Sequence, residues 1–338
     1  RRSVSAGISG RFGAEYAHRY YGSNGELHRG HRLYAYRSES EILVLRGGLT
    51  MAVRDFWKTH ENLYFALTNG KVLFGLFWFV ILGLLAIFGP MLTPFGLEEF
   101  AGAGYLPPSR THLFGTTLMG RDVFTAVVYG LRSTFVVGFV GGTIATLVGL
   151  VIGFFAGYHG GRFVDEALMM LTNIFLVIPT LALLIILAAY LPYRGILTES
   201  IIVGLTAWPW TARAVRAQTL SIKSREYVNL SRISALKVFR ILKEDIAANM
   251  FSYVFMVYIL QFSGAILAAV SLEFLGLGPT RGVSLGLVIQ NAVHWNAVQL
   301  GLWWWAIFPG LVLTILIVSL YFINTGLDEV FNPRLREM

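Results

Sequence analysis

The chain has 338 residues, of which 55% are apolar and only 14% charged, with a net charge of +8. Soluble domains carry about 25% charged residues. A mean hydropathy of +0.63 therefore excludes a soluble enzyme, a disordered chain and a disulfide scaffold, because a soluble fold of this length has too little interior for so much apolar surface. What remains is a polytopic membrane protein, whose apolar residues arrive in blocks of about 20. There are no cysteines, which excludes thiolate chemistry. Among the seven histidines no pair has metal-ligand spacing inside an apolar block.

In chain order, residues 1–70 read as a polar, basic, cytoplasmic tail. Within it, 49–69 mixes apolar and charged residues. It is expected as an amphipathic helix on the membrane surface, with Phe56, Trp57, Tyr64 and Phe65 at headgroup depth, or as a helix of a soluble tail. A transmembrane domain is expected over 71–338. Its apolar blocks are 72–91, 134–156, 167–191, 196–212, 246–275 and 301–326. Each is long enough to cross about 30 Å of hydrocarbon as a helix, the fourth only just. Pro179 and Pro209 fall inside blocks, where each frees a carbonyl and allows a kink. Glycines 138, 142, 149, 153 and 157, mostly four apart, form a stripe that lets another helix approach closely.

Orientation follows from Lys and Arg. Of the 27 such residues, the odd-numbered side of the six-span scheme receives five: Arg110, Arg121, Arg132, Arg194 and Arg281. All the others fall on the opposite side, in the tail, the 2–3 and 4–5 connections and the C-terminus. Positive charge stays in the cytoplasm, which places both termini there, in agreement with an even number of spans.

The sequence lacks the groups of an energy-coupled carrier. Gly70-Lys71 is followed by Val72 and has Phe65 at the upstream position, so no phosphate loop is present. Acidic residues in or at the edges of spans, such as Glu199, Glu273 and Asp328, are few, too few for a proton relay. Uphill transport would draw its energy from a partner. The docking point for such a partner is 213–245, a long basic connection in which Tyr227, Leu230, Ile233, Leu236 and Val238 recur at three- and four-residue intervals. An amphipathic helix of that kind lies in a protein groove or flat on anionic lipid.

Beyond these readings, a set of motifs carries a family resemblance. His112-Leu-Phe-Gly115-Thr116-Thr-Leu-Met-Gly120-Arg121-Asp122 is similar to an H-x-x-G-T-D-x-x-G-R-D run. Ala156-Gly157-Tyr158-His159-Gly160-Gly161 with Asp165 resembles A-G-Y-x-G-G-x-x-D. Leu272-Glu273-Phe274-Leu275-Gly276-Leu277-Gly278 resembles L-S-F-L-G-L-G. Phe308-Pro309-Gly310 and the ending Asn332-Pro333-Arg334 also match. Over about 56–338, in order and in register, the chain resembles the second ("C") inner-membrane permease of oligopeptide, dipeptide and nickel ABC importers. The resemblance implies an all-α type I importer fold with six transmembrane helices and a cytoplasmic coupling helix. It also implies an inner-membrane location in a prokaryote and four partners: a homologous permease, two ATPase subunits and an extracytoplasmic binding protein. ATP and Mg would be bound by the ATPases. This chain would hold no cofactor or metal, catalyse nothing and bind no nucleic acid. Peptides are the expected substrate, with oligosaccharides, or a self-contained channel or secondary carrier, as alternatives.

The resemblance also directs attention to residues. Arg225-Glu226-Tyr227-Val228 matches the lead-in to the family's coupling motif E-A-A-x-x-x-G. The motif itself departs, with Asn229-Leu230-Ser231 for E-A-A and Ala235 for the glycine. Alanine resists a positive φ there, so the connection is either one longer helix or a strained turn. The expected ATPase contacts are Tyr227, Leu230, Ser231, Arg232, Ala235, Leu236 and Phe239. Glu273 stands where the family has a small polar residue and reads either as a gate or counter-charge, or as an interfacial carboxylate. Trp304, within the Trp303–Trp305 run, reads as part of an aromatic belt or as a stacking surface. Trp208 and Trp210 flank Pro209 and are placed to line a pathway. Arg121 and Asp122 are expected to hold the outer loop by charge-assisted bonds.

Overall fold

Caps and prolines, more than hydropathy, set the helix ends. A computed structural model describes residues 61–191, 193–234 and 238–331. The surface helix expected over 49–69 lies outside these residues except for its end, and so do Ala235, Leu236 and the Asn332-Pro333-Arg334 motif. Among the described residues the structure is helical apart from one isolated bridge between Thr116 and Asp122.

A short helix α1 (Glu61–Thr68) leads into α2 (Gly70–Leu92). The junction is set by Asn69, whose Oδ1 accepts hydrogen bonds from the first-turn amides of Lys71 (2.9 Å) and Val72 (3.2 Å). Such a cap satisfies donors that hydrocarbon would leave bare. The Asn69 amide also donates to Glu329 (3.1 Å), and Lys71 forms an ion pair with the same carboxylate. Glu329 belongs to the last helix, α11 (Trp303–Phe331). The first long helix therefore begins on the side of the bundle where the last one ends.

Between them run α3 (Val123–Tyr158), α4 (Phe163–Val177), α5 (Thr180–Tyr190), α6 (Ile196–Lys223), α7 (Glu226–Ile233), α8 (Val238–Arg240), a π-helical turn over Ile241–Ala247, α9 (Ala248–Phe274) and α10 (Leu285–His294). The central pair is α3 against α6, with α9 laid along both. The glycine stripe makes this possible. A Cβ added at Gly142 would stand 2.9 Å from the Phe262 backbone of α9. One added at Gly153 would stand 2.6 Å from the Ala212 carbonyl of α6. At these positions the helices meet backbone to backbone. Gln261 of α9 adds a polar tie to α6, donating to Thr211 Oγ1 (2.6 Å) and the Ala207 carbonyl (3.2 Å).

Among the described residues four helices are long and apolar enough to cross a membrane: α2, α3, the α9 region from Glu244 and α11. They become five if α4 and α5 form one span bent by 83°. The bend sits at Ile178 and Pro179, as the missing proline N–H predicts. Pro209 instead lies in an uninterrupted α6. The expected fourth span is this helix. It is 28 residues long but carries Glu199, Arg213 and Arg216, which lower its hydropathy. Its polar residues are covered by protein, since Glu199, Ser200, Thr206, Thr211 and Thr219 are all buried. Helix α3 starts eleven residues before the expected 134, because the Asp122 side chain caps it through the Thr125 amide at 2.7 Å. Helix α6 extends to Lys223, so the first third of the expected 213–245 connection is helix. The connection is not one long helix: α7 and α8 are separate.

At the end opposite Glu329, the 93–122 loop packs on α3, α10 and α11. Asp122 anchors it, taking hydrogen bonds from Thr125 and facing His112 Nδ1 at 3.0 Å, both in the interior. Arg121 does not share that role. Its side chain is exposed and borders a cavity of about 240 Å³ with Glu98, Asn291 and Trp305.

Candidate coupling surface and buried carboxyls

Helix α7 is eight residues long and caps the Glu329 end of the bundle. Its inward residue, Val228, is fully buried in an apolar cluster with Val215 and Ile222 of α6, Ile241 and Ile246 of the π-helical turn, and Met250 of α9. The opposite side of the same helix is open: Leu230 is 63% exposed and Ile233 82%. Tyr227 is also exposed, and so is Phe239 of α8, at 76%. Ser231 donates back to the Tyr227 carbonyl (3.2 Å) and so lies along the helix. A row of large apolar side chains on a short helix that is itself anchored through Val228 has the form of a protein-docking surface. Of the expected contacts, Tyr227, Leu230, Ser231 and Phe239 share this region. Ala235 and Leu236 lie outside the described residues, as does the side chain of Arg232. Ile233 belongs with the row. Its place in the three- and four-residue rhythm was the signal for it.

A rigid frame holds this surface. Arg216, on α6, donates from Nε to Asp165 Oδ1 (2.5 Å) and from Nη2 to Oδ2 (2.7 Å), while the Gly161 amide donates to Oδ2 (2.9 Å). The clamp joins the start of α4 to the lower part of α6. On the docking side, Arg240 Nε donates to Glu244 Oε2 at 2.8 Å, a pairing that lifts the guanidinium's affinity for its proton further.

The residues expected along a pathway fall in different settings. Trp208 is buried against Phe175 of α4, with ring centroids 5.4 Å apart. Trp210 is exposed on the flank of α6. Trp304 faces inward: its Nε1–H donates to the Thr116 carbonyl (3.0 Å) and its ring lies against Gly115, so it ties α11 to the 93–122 loop. Glu273 is buried at the end of α9 and Glu199 at the start of α6, two helix ends that share one apolar cluster. Each was visible in the sequence as a charge at a span edge. Their pairing was not, because 74 residues separate them.

Comparison with known proteins decides the family. A profile described as "Binding-protein-dependent transport system inner membrane component" matches residues 149–337. The chain belongs to that family. The match begins within α3 and takes in the α4–α6 frame, α7 and the helices beyond, so the clamp and the docking row both lie inside it. Along more of its length the permease is similar to the dipeptide transport system permease protein of Bacillus subtilis (33% identity over 84% of this chain and 86% of the relative). It is also similar to that organism's oligopeptide transport system permease protein (30% over 80% and 88%). The dipeptide transport system permease protein of Haemophilus influenzae is 28% identical over 84% of this chain and 96% of its own length. The permease is thus a multi-helix membrane component of a transport system and belongs to a family that is not itself catalytic.

Proposed function

We propose that this chain is one of two homologous permease halves of an ATP-driven importer, that it carries peptides across the plasma membrane of a prokaryote, and that both its termini are cytoplasmic. The observation that carries the reading is the exposed row Tyr227, Leu230 and Ile233 on α7, a helix anchored through buried Val228, with Phe239 of α8 exposed as well. In this reading, two cytoplasmic ATPase subunits bind ATP and Mg, and one of them grips the row. When the ATPases close on nucleotide, α7 moves with them. The Asp165–Arg216 clamp passes that motion to α4 and α6, which switch between inward- and outward-open arrangements. A binding protein outside the cell delivers the substrate, so the membrane helices need little affinity of their own. Peptide is the substrate class because the relatives named above are dipeptide and oligopeptide permeases.

The chain contains no cysteine, which gives a direct test. A single cysteine at Leu230 or Ile233, in the complex purified from its native host, is expected to cross-link to an ATPase subunit. The same complex in vesicles is expected to take up a labelled dipeptide only with ATP and its binding protein. Uptake by this chain alone without ATP, or cross-linking that never reaches an ATPase, overturns the reading.

A further inference from the structure

Glu199 lies in the first turn of α6 and Glu273 at the last-but-one position of α9, both at the end of the bundle away from Glu329. Glu199 is 5% exposed and Glu273 1%. The two helix ends meet, with Ile196 and Val203 of α6 packed in one cluster with Ala269 and Leu272 of α9. Both Glu199 oxygens and Oε2 of Glu273 have no hydrogen-bond partner. The polar groups beside Glu273 are the Ser284 hydroxyl and the Leu287 amide. Below the pair the packing is apolar, from Val203, Ala269, Leu272 and Leu184.

The loop after α9 and the first turn of α10 cover Glu273. A Cβ added at Gly278 would stand 2.8 Å from Glu273 Cγ, and one added at Gly286 would collide with Glu273 Oε2. The loop is latched to the residues just before α6. The Thr280 amide donates to the Arg194 carbonyl (2.8 Å), and Arg194 Nη1 donates to the Gly276 carbonyl (3.3 Å). That guanidinium lies on the surface of the latch. The other ionisable groups on the surrounding elements are distant or exposed. Arg132 of α3 and Arg281 of the loop are exposed. Arg213 and Arg216 of α6, Asp328 and Glu329 of α11, and His294 of α10 stand toward the far ends of their helices. Helix α5 contributes no charge. Among the described residues neither carboxyl forms an ion pair with a Lys, Arg or His.

Two carboxylates in such a setting do not both stay ionised and bare. Desolvation costs several kcal/mol per ion, and like charges in one site repel. We propose that Glu199 and Glu273 form a closed site that holds one small cation, a proton or an alkali-metal ion, with the Gly276–Ser284 loop packed beside it. The proton is the better fit, since a metal ion takes about six oxygen ligands and no third acidic or histidine side chain joins the pair among the described residues. The site is read from this chain alone and stands or falls separately from the importer reading.

The test uses the permease purified in whatever complex it forms and placed in lipid nanodiscs. Infrared difference spectra between the wild type and the near-isosteric variants Glu199→Gln and Glu273→Gln are expected to lose a carboxylic-acid carbonyl band if the cation is a proton. In that case the thermal midpoint of the wild type falls as pH rises, and either variant flattens this dependence. If the cation is a metal ion, no such band is lost, and exchanging sodium for choline at constant pH lowers the midpoint of the wild type alone. Protease access to the Gly276–Ser284 loop gives a readout that global folding does not mimic, and it is expected to rise under whichever condition empties the site. The proposal is overturned if wild type and both variants share the same carboxyl bands and respond alike to pH, to sodium and to protease.

Discussion

Arg216 holds Asp165 by two hydrogen bonds, Nε to Oδ1 at 2.5 Å and Nη2 to Oδ2 at 2.7 Å, across 51 positions of sequence. The carboxylate is almost wholly covered while the guanidinium is about a third open to water. The pair joins the A-G-Y-x-G-G turn to the helix that continues toward α7, so it belongs to the frame beneath the docking row. Replacing Asp165→Asn keeps the shape and removes the charge. The cost is expected to be about 2–3 kcal/mol, below that of breaking a fully buried pair because Arg216 is partly solvated. Arg216→Lys is expected to recover only part, since an ammonium does not make the two-pronged contact. Thermal unfolding of the purified permease measures both.

Helix α7 offers a contrast between neighbouring positions. Val228→Ala removes buried methyl groups and is expected to cost about 1–3 kcal/mol of stability. Leu230→Ala, two residues on, is expected to change stability by less than about 0.5 kcal/mol, as exposed substitutions do, yet to weaken ATPase association and slow uptake. Co-purification yield, set against thermal midpoint for each variant, separates the two effects.

Close approach along the glycine stripe gives a third expectation. Gly153→Leu puts a side chain where Ala212 O and Val215 already stand. It is expected to destabilise the chain by at least about 1–3 kcal/mol, the range for overpacking. Gly264→Ala, where nothing lies within 4 Å of the added methyl, is expected to be neutral. Monodispersity and unfolding in detergent report the difference.

Trp304 ties α11 to the 93–122 loop through one hydrogen bond from its ring nitrogen to Thr116 O. Trp304→Phe is expected to cost about 1 kcal/mol for the lost bond, and Trp304→Ala about 3–5 kcal/mol for the lost ring. Limited proteolysis of the 93–122 loop is expected to quicken in that order.

Much of the architecture was legible in one dimension. Hydropathy blocks located the long helices, because a span must bury its backbone bonds within itself and show an apolar surface to lipid. The stripe of glycines announced a tight helix pair, and the rhythm of Tyr227, Leu230 and Ile233 announced a helix with one apolar side. Hydropathy located α6 only as the short block 196–212; the helix runs on through Arg213 and Arg216 to Lys223, because Arg216 is paired with Asp165 of α4 and Arg213 with Asn173.

What the sequence determined by itself is local: helical segments, their caps at Asn69 and Asp122, the break at Pro179 and the motifs that mark the family. Each depends on residues a few positions apart, whose geometry the backbone dictates. What only the tertiary structure decided is pairing at a distance: Arg216 with Asp165, Trp304 with Thr116, Lys71 with Glu329, Glu199 with Glu273. A buried carboxyl is held on both oxygens at Asp165, while at Glu273 Oε2 has no partner, and the difference lies in what the packing of other helices brings within about 3 Å, the reach of a hydrogen bond.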